Sequence, residues 1–100
     1  SAIAVGGPSM QGHEVIVTQM ERGAIMVDGQ VQCAGFPSTC GTSDGLVTVA
    51  YNGDGKLVDA AQSHLEKRIV HIDVPFGVHI QVMRWANHVN AHITMPPHVD

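Results

Sequence analysis

The sequence is short of aromatic and basic residues, and each shortage narrows the class of protein. Only 4% of its 100 residues are aromatic, so a hydrophobic core must be built mainly from aliphatic side chains. Five basic residues stand against nine acids, for a net charge of −4, which argues against nucleic-acid binding through a basic surface. No apolar run approaches the roughly 20 residues of a membrane-spanning helix, so we predict no transmembrane segment.

The chain is rich in glycine, aliphatic residues and histidine. It is 44% hydrophobic and 14% charged, with 11 glycines, which is typical of a folded and turn-rich domain. It has no internal repeat and no linker, so we predict that residues 1–100 form a single domain. The seven histidines stand out, because protonating all of them would change the net charge from −4 to +3. This composition predicts a pH-sensitive surface.

The strongest structural pattern is the alternation of apolar and polar residues over 69–82. It runs on both sides of a Pro75-Phe76-Gly77 turn. This pattern predicts two antiparallel strands with one face buried and the other exposed to solvent. Centring the turn on Phe76 fixes the register of the hairpin. The predicted cross-strand pairs are Val74 with Val78, Asp73 with His79, Ile72 with Ile80, and His71 with Gln81.

The same kind of pattern predicts shorter strands elsewhere in the chain. Asp28-Gly29 is a strong signal for a two-residue hairpin turn between two of them. A further turn is expected near Asn87. The predicted strands cover 13–20, 24–27, 30–33, 46–51 and 91–95, with an edge strand at 2–5.

Residues 55–67 form the one segment whose apolar residues have helical spacing. The residues that share one side of this helix are Leu57, Ala61 and Leu65. Asp54 is placed to cap the first turn, so we predict a helix here. The alternative is a return strand over 56–60, which the preceding Asn-Gly-Asp-Gly turn also supports. The predicted fold class is therefore α+β, a single antiparallel sheet of about five to six strands with one helix packed on it, and the alternative is an all-β sandwich.

The two cysteines, Cys33 and Cys40, enclose a short loop rich in glycine, proline and serine. An even count and close spacing favour a disulfide in an oxidising compartment, and the Ser1 start fits a mature secreted domain as well as a cloning remnant. The alternative is a pair of buried free thiols in a cytosolic protein. Phe36 and Pro37 lie at the tip of the loop, where we expect a contact surface for a partner.

Histidines are prominent on the solvent-exposed face of the predicted hairpin. His71 and His79 project from it with Asp73 beside His79, and we predict that these three residues belong to a binding surface. One alternative is that they are ordinary outward-facing polar residues. Another is a copper site, because imidazole and thioether ligands together suit copper. The candidate copper ligands are His71, His79, His88, His92, Met83 and Met95.

The segment Asn52-Gly53-Asp54-Gly55-Lys56-Leu57 resembles the middle of the calcium loop in dockerin and EF-hand repeats. That resemblance implies calcium bound by oxygen ligands at both ends of a 12-residue loop. Here the first and twelfth positions are Ala50 and Ala61, which have no ligand oxygen in the side chain. We therefore predict a turn or a helix cap at this segment, with no bound metal and no cofactor.

No motif of the sequence supplies a nucleophile with a base in reach. The Gly-x-Ser-x-Gly elbow of hydrolases is missing, and Asp73 with His79 would make only an orienting dyad, so we predict that the protein is not an enzyme. The function predicted instead is that of a small secreted binding protein, toxin-like or effector-like, which recognises a protein, a glycan or a membrane surface. The alternative is a metal-binding protein rich in histidine and methionine.

Overall fold

The described chain consists of strands joined by tight turns. The structure, a computed structural model, describes residues 14–35, 40–41, 46–63, 69–74 and 76–97. Its eight strands are β1 (Glu14–Gln19), β2 (Ile25–Val27), β3 (Gln30–Cys33), β4 (Val47–Asn52), β5 (Leu57–Gln62), β6 (Ile69–Val74), β7 (Val78–Trp85) and β8 (His88–Thr94), and a single 3-10 turn covers Glu21–Gly23. Within these segments no helix has the length and hydrophobicity needed to cross a membrane.

The strands form two antiparallel sheets. The five-stranded sheet has the order β3-β2-β1-β4-β5, and the three-stranded sheet has the order β6-β7-β8. Strands β5 and β8 pack along one another, which brings the two sheets together at one side. The five strands of the first sheet thus precede the three strands of the second in the sequence.

The core lies between the two sheets and is almost entirely aliphatic. Alternate residues of nearly every strand point inward, as period-two side chains must when one face of a sheet is covered. The fully buried aliphatic side chains are Val15, Val17, Ile25, Val47, Val49, Val70, Ile72, Val78 and Val82. Tyr51 is the one aromatic residue in this buried set. Burial raises the pKa of the Tyr51 phenol to about 12, and the nearby Asp28 carboxylate adds to the rise.

The helix predicted over 55–67 is wrong, and with it the α+β class. Residues 57–62 are the strand β5, paired with β4, whereas 64–68 lie outside the described residues. The register shifts at a β-bulge between Ala50 and Tyr51, so the half-buried residues of β5 do not alternate. Those residues are Leu57, Ala60 and Gln62, and their irregular spacing hides the strand. The alternatives, a return strand and an all-β sandwich, agree with the structure.

The turn between β4 and β5 explains why this segment is a hairpin. The Asn52 side-chain oxygen accepts hydrogen bonds from the backbone N–H groups of Asp54 and Lys56, both 3.0 Å long. Gly55 also donates its N–H to the Asn52 carbonyl and has a φ of 83°. An asparagine that bonds to the backbone two and four residues ahead stabilises a tight turn. The calcium-like segment therefore folds as a turn, as predicted.

Both predicted hairpin turns are present. Asp28 and Gly29 have φ values of 49° and 81°, the left-handed pair that a two-residue type I′ turn requires. In the second hairpin, β6 and β7 pair in the predicted register, with Asp73 opposite His79. Phe76 and Gly77 also have positive φ there, which is unusual for phenylalanine.

The predicted disulfide between Cys33 and Cys40 is confirmed, and it links the two sheets. Cys33 ends β3, the edge of the five-stranded sheet. Cys40 accepts a backbone hydrogen bond from Asp73 of β6, and Gly41 makes a β-bridge to Ile72. The segment Cys40–Gly41 is therefore a strap along the outer edge of β6, and the disulfide anchors it to the other sheet. The edge strand predicted at 2–5 lies outside the described residues.

Gly41 is a glycine for steric reasons. A Cβ atom at this position would lie only 2.5 Å from the carbonyl oxygen of His71 and would also collide with the side chain of Gln19. Gln19 is fully buried on β1, so the strap passes directly over the rim of the core. Any larger residue would push the strap away from β6.

Candidate functional site: the outer face of the three-stranded sheet

The side of β6, β7 and β8 that turns away from the core carries the exposed histidines. The strand pairing arranges its outward residues in four cross-strand rows. These rows are Asp73-His79-Thr94, His71-Gln81-His92, Ile69-Met83-Asn90 and Trp85-His88. We call this surface the outer face. The predicted site residues His71, Asp73 and His79 all lie on it, and the register brings them together.

His79 and Asp73 form a hydrogen-bonded pair at one end of the outer face. The His79 Nδ1 atom lies 2.9 Å from the Asp73 Oδ1 atom. An ionised carboxylate can only accept, so Nδ1–H is the donor of this hydrogen bond. The two side chains are 63% and 68% exposed, and pairs this exposed contribute little to stability. The pair therefore orients the His79 ring and does not hold the fold together.

A shallow groove of about 220 Å³ lies over the first two rows. Its lining residues are His71, Asp73, His79, Ile80, Gln81, His92 and Thr94. The polar groups comprise three imidazoles, one carboxylate, one amide and one hydroxyl. Such a groove offers both hydrogen-bond donors and hydrogen-bond acceptors, and its charge depends on the protonation of the imidazoles.

The other end of the outer face adjoins the groove and carries three large apolar side chains beside Asn90 and His88. Ile69 and Met83 are cross-strand partners that are 50% and 38% exposed. Trp85, two residues along β7 on the same face, is 73% exposed. Large apolar side chains this close together on a rigid sheet are typical of a binding surface, since isolated ones are normal but contiguous ones are costly. The outer face thus combines an apolar patch with a histidine groove.

The structure brings His71, His79 and His92 to one groove but does not gather the six predicted copper ligands into a metal site. His88 pairs with Trp85 in the row farthest from His79. Met95 is packed against the core, and its side chain lies next to Gly55. In the part of the chain that the structure describes, no three side chains of histidine, cysteine, aspartate or glutamate are placed to hold a metal ion.

Sequence reasoning missed half of the groove. Gln81, His92 and Thr94 line it because β8 begins at His88, just after the turn at Ala86 and Asn87, and pairs fully with β7. The predicted last strand, 91–95, began three residues later and gave no register. The signal was present in the sequence, since His92 and Thr94 alternate with buried neighbours as His79 and Gln81 do.

The other predicted contact residues, Phe36 and Pro37, lie outside the described residues. The structure places only the ends of their loop, at Gly35 and Cys40. Comparisons with protein-family models, curated proteins and solved structures found no match to this chain. The function is therefore argued from the geometry of the outer face.

Proposed function

We propose that this chain is a small secreted recognition protein, toxin-like or effector-like, and that it binds a partner protein through its outer face. The observation that carries the proposal is Trp85, a large aromatic side chain that is 73% exposed at the end of β7, two residues from the exposed Met83 on the same face. Tryptophan is enriched among the residues that dominate protein–protein binding energy. A partner that covered the Trp85 side chain would remove its apolar surface from water, which is favourable.

The surroundings of Trp85 support a protein partner. Ile69 and Met83 extend its apolar surface, and the polar groove with Asp73 and His79 lies at the rim. Tryptophan and methionine are enriched in protein interfaces, where apolar side chains adjoin polar ones. The underlying strands are held by complete antiparallel pairing, so the surface is preformed and binding needs little reordering.

The disulfide supports the secreted location. Disulfides persist in oxidising compartments and are rare in the reducing cytosol. Cys33–Cys40 is paired and links two sheets, which gives it a structural role. The disulfide thus supports recognition in an oxidising compartment outside the cytosol.

Photo-crosslinking tests the proposal. A photoreactive phenylalanine analogue is placed at Trp85 or, as a matched control, at Val58, which is 55% exposed on β5 of the other sheet. Each protein is exposed to intact cells and secretions and then illuminated. We expect a discrete adduct from position 85 that excess wild-type protein suppresses and Trp85→Ala protein does not. Equal labelling from both positions, or labelling that wild type does not suppress, would contradict the proposal.

A further inference from the structure

We propose that the histidine groove binds a carboxylate-rich segment of the partner, and that it does so in mildly acidic and not in neutral solution. This inference rests on the proposed function in taking the partner to be a protein. It adds the chemistry of the segment that is recognised and the condition under which recognition occurs. The groove arranges three imidazoles around one amide.

The three imidazoles are arranged around Gln81. His71 and His92 are its cross-strand partners on either side, and His79 lies two residues away along the same strand and on the same face. Cross-strand and diagonal neighbours in a sheet lie about 5–8 Å apart, within reach of one another's longer side chains. A carboxylate seated over Gln81 can therefore receive hydrogen bonds from its amide and from the surrounding rings.

The charge of the groove changes sign with pH. Imidazole is the side chain that gains a proton between about pH 8 and pH 5. When all three rings are neutral, the carboxylate of Asp73 gives the groove a negative charge that repels other carboxylates. When they are protonated, three positive charges surround that one negative charge, which is already paired with His79. The groove then attracts carboxylates.

The other charged groups nearby do not cancel this change. Asp73 is the one acidic residue on β6, β7 and β8. Arg84 points to the inner side of β7 and has a buried Nε atom. On β5, which packs along β8, the charged residue is Asp59, whose carboxylate accepts the N–H of Ala60 at 2.9 Å. His88 lies at the opposite end of the outer face and would add to the positive charge.

The apolar patch favours an acidic peptide segment over a free small anion. Ile69, Met83 and Trp85 adjoin the groove and offer nothing to an isolated phosphate or sulfate ion. A polypeptide with acidic and apolar residues in succession would cover both parts of the outer face. The groove sets the pH at which it docks, and the patch provides the buried apolar contact.

The test is an NMR titration of the wild-type protein with hexaglutamate peptide at about pH 5.5 and about pH 7.5. Hexaglutamine serves as the uncharged control. We expect amide shifts confined to the groove residues, and binding about tenfold tighter at the lower pH, because exposed charge pairs are individually weak. Hexaglutamine should produce no shifts. Equal affinity at the two pH values would overturn the proposal.

Variants identify the groups responsible. The double variant His71→Gln with His92→Gln should lose most of the pH dependence, while His88→Gln should keep it. An equal loss in both would overturn the assignment to the groove.

Inorganic sulfate is titrated as a third ligand, and sulfate binding as tight as that of hexaglutamate would overturn the peptide assignment. Hexaglutamate has no apolar side chain for the patch to contact, so failure of the photo-crosslinking at Trp85 and failure of this titration are separate results.

Discussion

The two sheets share one core but differ in the charges they present to solvent. All four histidines in the described ranges lie on the outer face of the three-stranded sheet: His71, His79, His88 and His92. The described acidic residues of the five-stranded sheet and its turns are Glu14, Glu21, Asp28, Asp54 and Asp59, whereas the three-stranded sheet has only Asp73. Within the described ranges, protonation of imidazoles therefore adds positive charge to the three-stranded sheet alone. The inward residues define the fold, and the outward residues define the difference between the sheets.

Truncating the shared core should have the largest effect. Ile80 lies on the central strand of the three-stranded sheet and is 1% exposed. Replacing Ile80 with Ala should lower the free energy of unfolding by about 2–4 kcal/mol, through lost burial and the cavity left behind. Its neighbour Gln81, on the outer face, is the control, and Gln81→Ala should stay within about 0.5 kcal/mol of wild type. Urea denaturation measures both, and similar losses would contradict the division into core and outer face.

Removing the disulfide should have the next largest effect. Replacing both Cys33 and Cys40 with Ser should lower the free energy of unfolding by about 2–3 kcal/mol, because the unfolded chain is no longer closed into a loop. Chemical denaturation of the variant should match that of the wild-type protein in a reductant. If neither treatment changes the midpoint, the strap does not couple the sheets.

Alkaline solution should destabilise the five-stranded sheet through Tyr51. Its pKa is raised from 10.0 to about 12 in the folded protein, so above pH 10 the unfolded chain releases a proton that the folded one retains. The contribution of Tyr51 is thus intact below pH 10 and is lost as the pH rises toward 12, by about 2–3 kcal/mol in total. Denaturation at successive pH values measures this slope. Tyr51→Phe should flatten it, and an unchanged slope in that variant would assign the effect to other groups.

The hydrogen-bonded pair of the three-stranded sheet should have almost no effect on stability. Both His79 and Asp73 are more than half exposed, so Asp73→Asn should change the free energy of unfolding by no more than about 0.5 kcal/mol. The same variant should bind hexaglutamate more tightly at neutral pH, because the repelling carboxylate is gone. A stability loss comparable to that of Ile80→Ala would show that the outer face is part of the structural core.

Copper should have the smallest effect. In the described residues no three candidate ligand side chains are placed to hold a metal ion. We therefore expect a melting temperature that does not change when one equivalent of copper is added, because only a ligand that prefers the folded state stabilises it. Zinc serves as the comparison ion. A rise with copper that His71→Gln removes would restore the metal-binding alternative and contradict the recognition assigned to these rings.

The sequence predicted the central hairpin well because its information is local. Period-two alternation and a Pro-Phe-Gly turn are both contained in 69–82, and together they placed His71, Asp73 and His79 on one face. The division into two sheets was not accessible in the same way. Strand β1 pairs with β4, far along the chain, and alternation alone does not identify such partners.

Strand β5 shows how a local irregularity misleads a periodic analysis. The helix prediction rested on Leu57, Ala61 and Leu65. With the bulge opposite Ala50 and Tyr51, β5 instead has Leu57 and Ala60 half-buried and Ala61 exposed. The hydrogen bonds of the Asn52 side chain decide in favour of the hairpin. Of the groove, only the residues of the β6–β7 hairpin were predicted as a site. His92 joins them through the register of β8 on β7, which the sequence pattern did not predict.

The strap at Cys40–Gly41 also determines from which direction another molecule can approach. It pairs with Ile72 and Asp73 at the free edge of β6, while β5 lies beside β8 at the opposite border. A chain that added a strand to this small sheet, the route by which many β-proteins dimerise or polymerise, would have to displace the strap or β5. A molecule that docks with both in place meets the side chains of the outer face.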